Sequence, residues 1–380
     1  MLYRYFFKFL ILVLFSINTS YSAHILYKNG NKLNIYGNFD SHYSISDFFS
    51  PSLSTYKNNI ASLGLYAEGR INNQLSSYMN IEYNAYLFFP KNIIDKKNTN
   101  ALRMGYIGLK HDFWGSIDYG RNYGVMHDAK SLTNRIPYII KNTIFEYDDY
   151  YMMNINNGLL TYRNSNIFGL CKNLNMTLQY QEKNYDRNIE QNNGSGWGAS
   201  FKYKNKLGFT AVGSFFSSNK NFLRSNKHFL QSNKQLKKMS IKSYGLGLGY
   251  NIHNIYLGAF YGLSYHLTPY KNIKNNSSHQ YIDSIKNIEM IAEYNFNSKF
   301  YPSISYLDSS GDNFNLIDYI SGGNAIKLAK QIDISTRYDF NHNISTYVNY
   351  KINLLKKNDF IKNNNINTDD IFGAGILYRF

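Results

Sequence analysis

The chain has a single cysteine in 380 residues, Cys171, so no internal disulfide can form and no cysteine-based metal framework is available. Proline is scarce, at 5 residues, which suits a backbone whose N–H groups must donate to a sheet ladder. Beyond the first 22 residues no apolar run approaches the roughly 20 residues that a spanning helix needs. With a mean hydropathy of -0.43, a bundle of hydrophobic helices is excluded. Acids are few, 25 against 41 bases, leaving a formal charge of +16. These bases are scattered, and no helix-turn-helix, RNA-binding strand motif or zinc finger accompanies them, so no nucleic-acid partner is expected. An excess of Lys, Asn, Ile and Tyr is the imprint of AT-rich codons. The 9 histidines show no metal-ligand spacing, and no Ser/His constellation stands out, so neither a metal, a cofactor nor an enzyme is expected. Gly245-Leu246-Gly247-Leu248-Gly249 imitates a dinucleotide fingerprint but lacks the following helix and the acidic ribose contact. Its small residues suit a wall with something bulky lying alongside.

Aromatic residues are abundant: 17% of the chain, with Tyr 37 and Phe 26. That fits girdles at membrane interfaces. The front of the chain reads as a secretory leader. Arg4 and Lys8 flank the aromatic opening, Phe9-Leu10-Ile11-Leu12-Val13-Leu14-Phe15 is apolar, and Ser20-Tyr21-Ser22 offers small residues for cleavage. Residues 1–22 are expected to be removed, leaving 23–380 as one unit with Ala23 at its start. The closing segment Ile376-Leu377-Tyr378-Arg379-Phe380 alternates, with Phe380, Tyr378 and Ile376 on one face. A strand ending on an exposed Phe suits a barrel that closes with its apolar side in lipid. Phe380 and Tyr378 are therefore the expected membrane-assembly signal, and the cell outer membrane the expected location.

Alternation recurs throughout. Met176, Leu178 and Tyr180 oppose Thr177, Gln179 and Gln181; Ile332, Ile334 and Tyr338 oppose Gln331, Asp333 and Arg337. In 288–296 one residue, Ile291, breaks the pattern. The pairs Asn72-Asn73, Asn205-Lys206 and Asn341-His342 read as short turns. Longer joints fall at about 84–100, 121–148, 218–240, 266–286, 308–328 and 355–369. The expected fold is all-β: a transmembrane antiparallel β-barrel of about 16 strands, a size that leaves an aqueous channel. The joint 121–148 carries Ile136-Pro137-Tyr138-Ile139-Ile140, too apolar for a freely solvated loop. A segment folded into the lumen and packed on the wall would explain it, and would narrow the channel.

The string Asp118-Tyr119-Gly120-Arg121-Asn122-Tyr123-Gly124-Val125, then Asp128-Ala129, then Thr161-Tyr162-Arg163-Asn164-Ser165-Asn166, resembles the general trimeric porins of the Gram-negative outer membrane. So do Asn254-Ile255-Tyr256-Leu257 and Ser345-Thr346-Tyr347-Val348, and the likeness runs from about Ala23 to Phe380. It implies a homotrimer of sixteen-stranded barrels that passes small hydrophilic solutes passively, with the third extracellular loop folded into each pore. The partners implied are outer-membrane lipid and lipopolysaccharide, and the barrel-assembly machinery.

In that family, acids on the loop face arginines on the wall. Here the loop's glutamate position is Tyr138, and the acid before the proline is Asn134. Lys141 is an added base. On the wall Ser62 and Asn38 replace two bases, while Arg103, Glu82 and Arg121 match. Asp128 is a further candidate for balance. Arg103 either lines the pore or pairs with Glu82. With the loop acids gone, the transverse field should weaken. A single uncompensated charge matters in such a passage, since two charges at 4 Å interact by roughly 4 kcal/mol at an effective dielectric of about 20. The expectation is a passive channel whose constriction is less acidic than the family norm and leans toward anions. The alternative is a host-facing surface or adhesion protein with secondary conduction. The basic 218–240 joint could hold lipid phosphates, and Leu87-Phe88-Phe89-Pro90 in the 84–100 joint could reach a neighbouring subunit.

Overall fold

Side chains that alternate between apolar and polar can satisfy two solvents at once, and the strands here do so. In the computed structural model the described residues are 23–28, 30–46, 54–86, 100–136, 151–184, 193–220, 239–271, 279–312, 325–357, 359–363 and 366–380. The leader at 1–22, Tyr138, Lys141, Leu87-Phe88-Phe89-Pro90 and the basic stretch within 218–240 lie outside them.

The first strands are β1 (Ala23–Lys28), β2 (Asn31–Ser46), β3 (Ser54–Arg70), β4 (Leu75–Tyr86), β5 (Asn100–His111) and β6 (Gly115–Tyr123). A short helix, α1 (Val125–Lys130), follows. Next come β7 (Ile155–Asn164), β8 (Leu174–Gln181), β9 (Gly196–Lys204), β10 (Phe209–Lys220), β11 (Met239–Ile252) and β12 (Ile255–Tyr265). A small separate hairpin, β13 (Pro269–Lys271) and β14 (His279–Tyr281), precedes β15 (Ser284–Tyr294), β16 (Phe300–Asp312), β17 (Ile326–Asp339) and β18 (Ile344–Asn353). Helix α2 (Asp359–Asn363) and β19 (Ile371–Arg379) complete the chain.

Sixteen strands close into an antiparallel barrel. Each pairs with its neighbour, and β19 returns to β2 with Tyr378 opposite Phe39 and Arg379 opposite Asn38. β1 stands apart from this ring as a hairpin partner of the start of β2. The closing bonds continue to the last residue: Gly37 and Phe380 exchange both backbone hydrogen bonds, at 3.1 and 3.0 Å. A Cβ on Gly37 would lie 2.7 Å from the Phe380 ring. The absence of a side chain at 37 therefore makes room for the terminal aromatic.

The expected faces are observed. Leu63, Ile81, Ile107, Leu246, Met290, Ile304, Ile334 and Ile376 are exposed, as are Tyr378 and Phe380. Their sequence neighbours Glu82, Asp333, Ser335 and Leu377 are buried on the opposite face, as is Gln331. Large apolar side chains exposed in one band and polar ones turned inward are the signature of lipid outside and water inside.

The tight turns form at the expected asparagines. Asn72 Oδ1 accepts from the N–H groups of Gln74 and Leu75, each at 2.9 Å; Asn205 and Asn341 do the same for residues just ahead of them. A side-chain oxygen thus satisfies turn donors that the ladder leaves behind. The expected set of six long joints is incomplete. Two further joints, between β2 and β3 and between β8 and β9, link strand ends on the side opposite the tight turns, so that the two kinds of joint alternate around the ring.

Helix α1 rests on wall strands at their smallest residues. On β11, Ile241, Ser243, Gly245, Gly247 and Gly249 share the face opposite Tyr244, Leu246 and Leu248. A Cβ on Gly245 would meet Met126 Sδ at 2.5 Å, and one on Gly247 would meet the Ala129 carbonyl oxygen at 2.4 Å. The glycine stripe is thus the bed of α1. Val125, Met126 and Ala129 join a buried apolar cluster with Phe216, Ile241 and Phe260 of the wall, and with Leu267, Leu355 and Phe360 of the connections beyond β12 and β18.

Candidate functional site

The polar site begins with an irregularity in β5. Glu82 pairs with Met104, but the next residue, Tyr83, pairs with Leu102, so Arg103 is the extra residue of a bulge. Bulges re-aim side chains near functional sites. Here the bulge lets Arg103 turn toward Glu82, and the two form an ion pair with Nη1 2.8 Å from Oε1. Arg103 Nη2 also donates to the Tyr123 hydroxyl. Glu82 is buried, and its other oxygen accepts from Tyr36 at 3.3 Å. Tyr36 donates more closely to Asn80 Oδ1, at 2.8 Å.

These groups border a cavity of about 500 Å³ lined by Tyr36, Asn38, Asp40, Ser62, Glu82, Asn84, Arg103 and Arg379 among others. Four of the residues singled out in the sequence, Asn38, Ser62, Glu82 and Arg103, thus meet in one place. Arg103 borders this cavity and pairs with Glu82. Ser62 donates to Asn84 at 2.8 Å, and Asp40 accepts from Tyr347 at 2.8 Å. The charged side chains of the lining are balanced, Asp40 and Glu82 against Arg103 and Arg379, and Phe380 of the lining carries the terminal carboxylate.

Arg121 is placed differently. It is not among the residues lining that cavity. It sits at a second irregularity, between Gly120 and Asn122 of β6. From there its Nε–H is shared between the carbonyl oxygens of Leu102 and Arg103, both at 2.9 Å, and Nη1 reaches Asn157 Oδ1 at 2.9 Å. A bulge disrupts the local ladder, and Arg121 supplies a donor there. Its guanidinium braces the backbone under Arg103.

The remaining candidates lie on the segment after β6. Asp128 of α1 accepts from Thr177 of β8 at 3.3 Å. Asn134 is exposed, and its N–H donates to the Ser131 carbonyl at 3.4 Å. His127 stacks on Tyr123 with ring centroids 3.9 Å apart. The same segment presents two bases that the sequence reading passed over. Lys130 lies 3.7 Å from Glu289, and Arg135 lies 2.8 Å from Glu293.

A match to the Gram-negative porin family covers residues 28–380. The chain belongs to this family of porins. Among relatives, a porin-like protein of Buchnera aphidicola from Schizaphis graminum is 49% identical over 98% of both chains. Outer membrane protein F of Serratia marcescens is 36% identical over 94% of both. A solved structure of Salmonella typhi OmpF in complex with daunomycin superposes with a TM-score of 0.81 at 31% identity, covering 93% of this chain and 99% of that one. This porin is accordingly a multi-pass β-barrel of the outer membrane, a passive diffusion channel rather than an enzyme.

Several residues of the porin's polar site were invisible in sequence. Arg379 joins the cavity from a strand remote along the chain, while Tyr36 and Asn84 sit two residues from Asn38 and Glu82 on the same strands. Glu289 and Glu293 looked like ordinary inward-facing acids. The one hint was Ile291 between them, which now packs with Ile136 and Tyr256.

Proposed function

We propose that the chain acts as a homotrimeric channel for small hydrophilic solutes and ions. The 121–148 segment folds into the lumen to form the constriction, which is less acidic than the family norm and leans toward anions. The observation that carries this reading is the cavity around Arg103: its side-chain acids are matched by bases, while the loop positions that are acidic in the resembling family hold Asn134 and Tyr138. The seating of α1 on the glycine stripe of β11 supports the inward course of the segment. Asn38, Ser62, Glu82 and Arg103 line the aqueous path. Lys141 adds a base at the constriction, and Asp128 faces the wall at Thr177. Residues 1–22 direct export and are removed by cleavage after Ser22. Phe380 and Tyr378 serve as the signal for the barrel-assembly machinery. The exposed outer band meets outer-membrane lipid, including lipopolysaccharide.

The test is conductance and reversal potential of refolded protein in a planar bilayer under a salt gradient. Steps grouped in threes with an anion-leaning potential are expected. Strong cation preference would overturn the reading of the constriction while leaving the channel. A folded barrel that does not conduct would overturn the channel itself and favour the host-facing surface protein.

A further inference from the structure

Two buried carboxylates of the wall, Glu289 and Glu293, stand four residues apart on one face of β15. At about 3.3 Å of rise per residue their Cα atoms are about 13 Å apart along the strand. Each is met by a base from the segment that follows β6. Lys130 Nζ lies 3.7 Å from Glu289 Oε1, and the Thr133 hydroxyl donates to Glu289 Oε2 at 2.8 Å. Arg135 donates to Glu293 Oε1 from Nη2 at 2.8 Å and from Nε at 3.2 Å.

Between these two anchors the fit is close. The Arg135 guanidinium lies over the Tyr256 ring, 3.9 Å from its centroid, and the Tyr256 hydroxyl donates to the Leu132 carbonyl at 2.6 Å. A Cβ on Gly258 would sit 2.4 Å from that same carbonyl oxygen. Ile136 closes the contact against Ile291 and Tyr256. The apolar residue that interrupts the polar face of β15 is therefore flanked by the two acids and packs on the segment they hold.

We infer that Glu289 and Glu293 are positioning residues of the channel. They clamp residues 130–136 to the wall, and they cancel the segment's own bases, Lys130 and Arg135, before those charges act on ions in the water path. This rests on the reading of the segment as the constriction. One anchor would leave the segment free to pivot. Two anchors about 13 Å apart fix both its place and its tilt. A neutral polar group cannot stand in for either carboxylate, because it would leave the charge of buried Lys130 or of half-exposed Arg135 uncompensated.

The clamp makes opposite predictions for its two halves. In planar bilayers, Glu293→Gln should move the reversal potential toward anions, because Arg135 loses its counter-charge. Arg135→Gln should move it toward cations, because Glu293 is left alone. The double variant should return close to the unaltered potential, since the charges again balance, but with noisier open channels that close at lower voltage. Glu289→Gln should act as Glu293→Gln does. Amide hydrogen exchange over residues 130–136, read on the same folded samples, should quicken roughly tenfold in each single variant. A role in packing alone would shift exchange without producing opposite signs of selectivity. Unchanged potentials and unchanged exchange in both Glu293→Gln and Arg135→Gln would overturn the clamp. If Glu293→Gln does not fold, Arg135→Gln alone carries the test, because Arg135 is partly exposed. If the unaltered protein does not conduct, the channel reading fails, and hydrogen exchange still decides the clamp.

Discussion

The Nε–H of Arg121 donates to the carbonyl oxygen of Arg103 at 2.9 Å, so one arginine of the wall holds the backbone that carries another. Only the second borders the cavity that Glu82 and Asn38 line. Two arginines that look equivalent in the sequence thus differ in place: Arg103 borders the cavity and pairs with Glu82, and Arg121 holds the backbone that carries it. A guanidinium suits the second task because its fork can serve the two carbonyls and Asn157 from fixed directions.

Arg121→Lys therefore tests geometry at constant charge. An ammonium cannot reproduce the fork, so the bulge should relax and Arg103 should drift from Glu82. The reversal potential is expected to change even though no charge has been removed. A variant that folds and conducts with the unaltered potential would show that the bulge holds without Arg121.

Glu82 and Arg103 should shift selectivity in opposite directions. Arg103→Gln leaves Glu82 without its partner and is expected to favour cations. Glu82→Gln leaves Arg103 uncompensated and is expected to favour anions. Removing one member of a buried ion pair typically costs about 3–5 kcal/mol; this pair borders water, so the loss should be smaller. Thermal unfolding of the two variants measures the loss, and salt-gradient potentials measure the sign.

Gly247 and Gly213 give a contrast in which only one position touches the segment. A Cβ on Gly247 would meet the Ala129 carbonyl at 2.4 Å, while one on Gly213 meets nothing within 4 Å. Gly247→Val should push α1 off β11 at a cost of about 1–3 kcal/mol, the usual range for overpacking. Its single-channel conductance should change. Gly213→Ala should leave conductance unaltered. Equal conductance in both variants would mean that α1 has no bearing on flow.

Much of this fold was readable because a barrel wall repeats one simple rule. Alternation located the strands, and pairs that contain asparagine located three of the tight turns. The exceptions to the rule were informative too. The glycine run of β11 and the odd Ile291 of β15 both mark where the 124–136 segment rests. What escaped was whatever depends on pairing between distant residues. The bulge at Arg103 exists only relative to β4, and the partners of Lys130 and Arg135 lie more than 150 residues away. The joints between β2 and β3 and between β8 and β9 also escaped, although Ser50-Pro51-Ser52 and Asn192-Asn193-Gly194 carry turn chemistry.

Closure of β19 on β2 sets the order in which the molecule can be made. The seam joins residues 38–46 to residues 371–379, so the first barrel strand waits for the last before its second ladder can form. Until then both edges expose backbone groups, and in lipid each unpaired group costs several kcal/mol. A chain halted after β18 cannot settle for a smaller ring without breaking the register of its neighbours. The ring is complete only when the last residue reaches the first barrel strand, where Phe380 and Gly37 exchange both backbone hydrogen bonds.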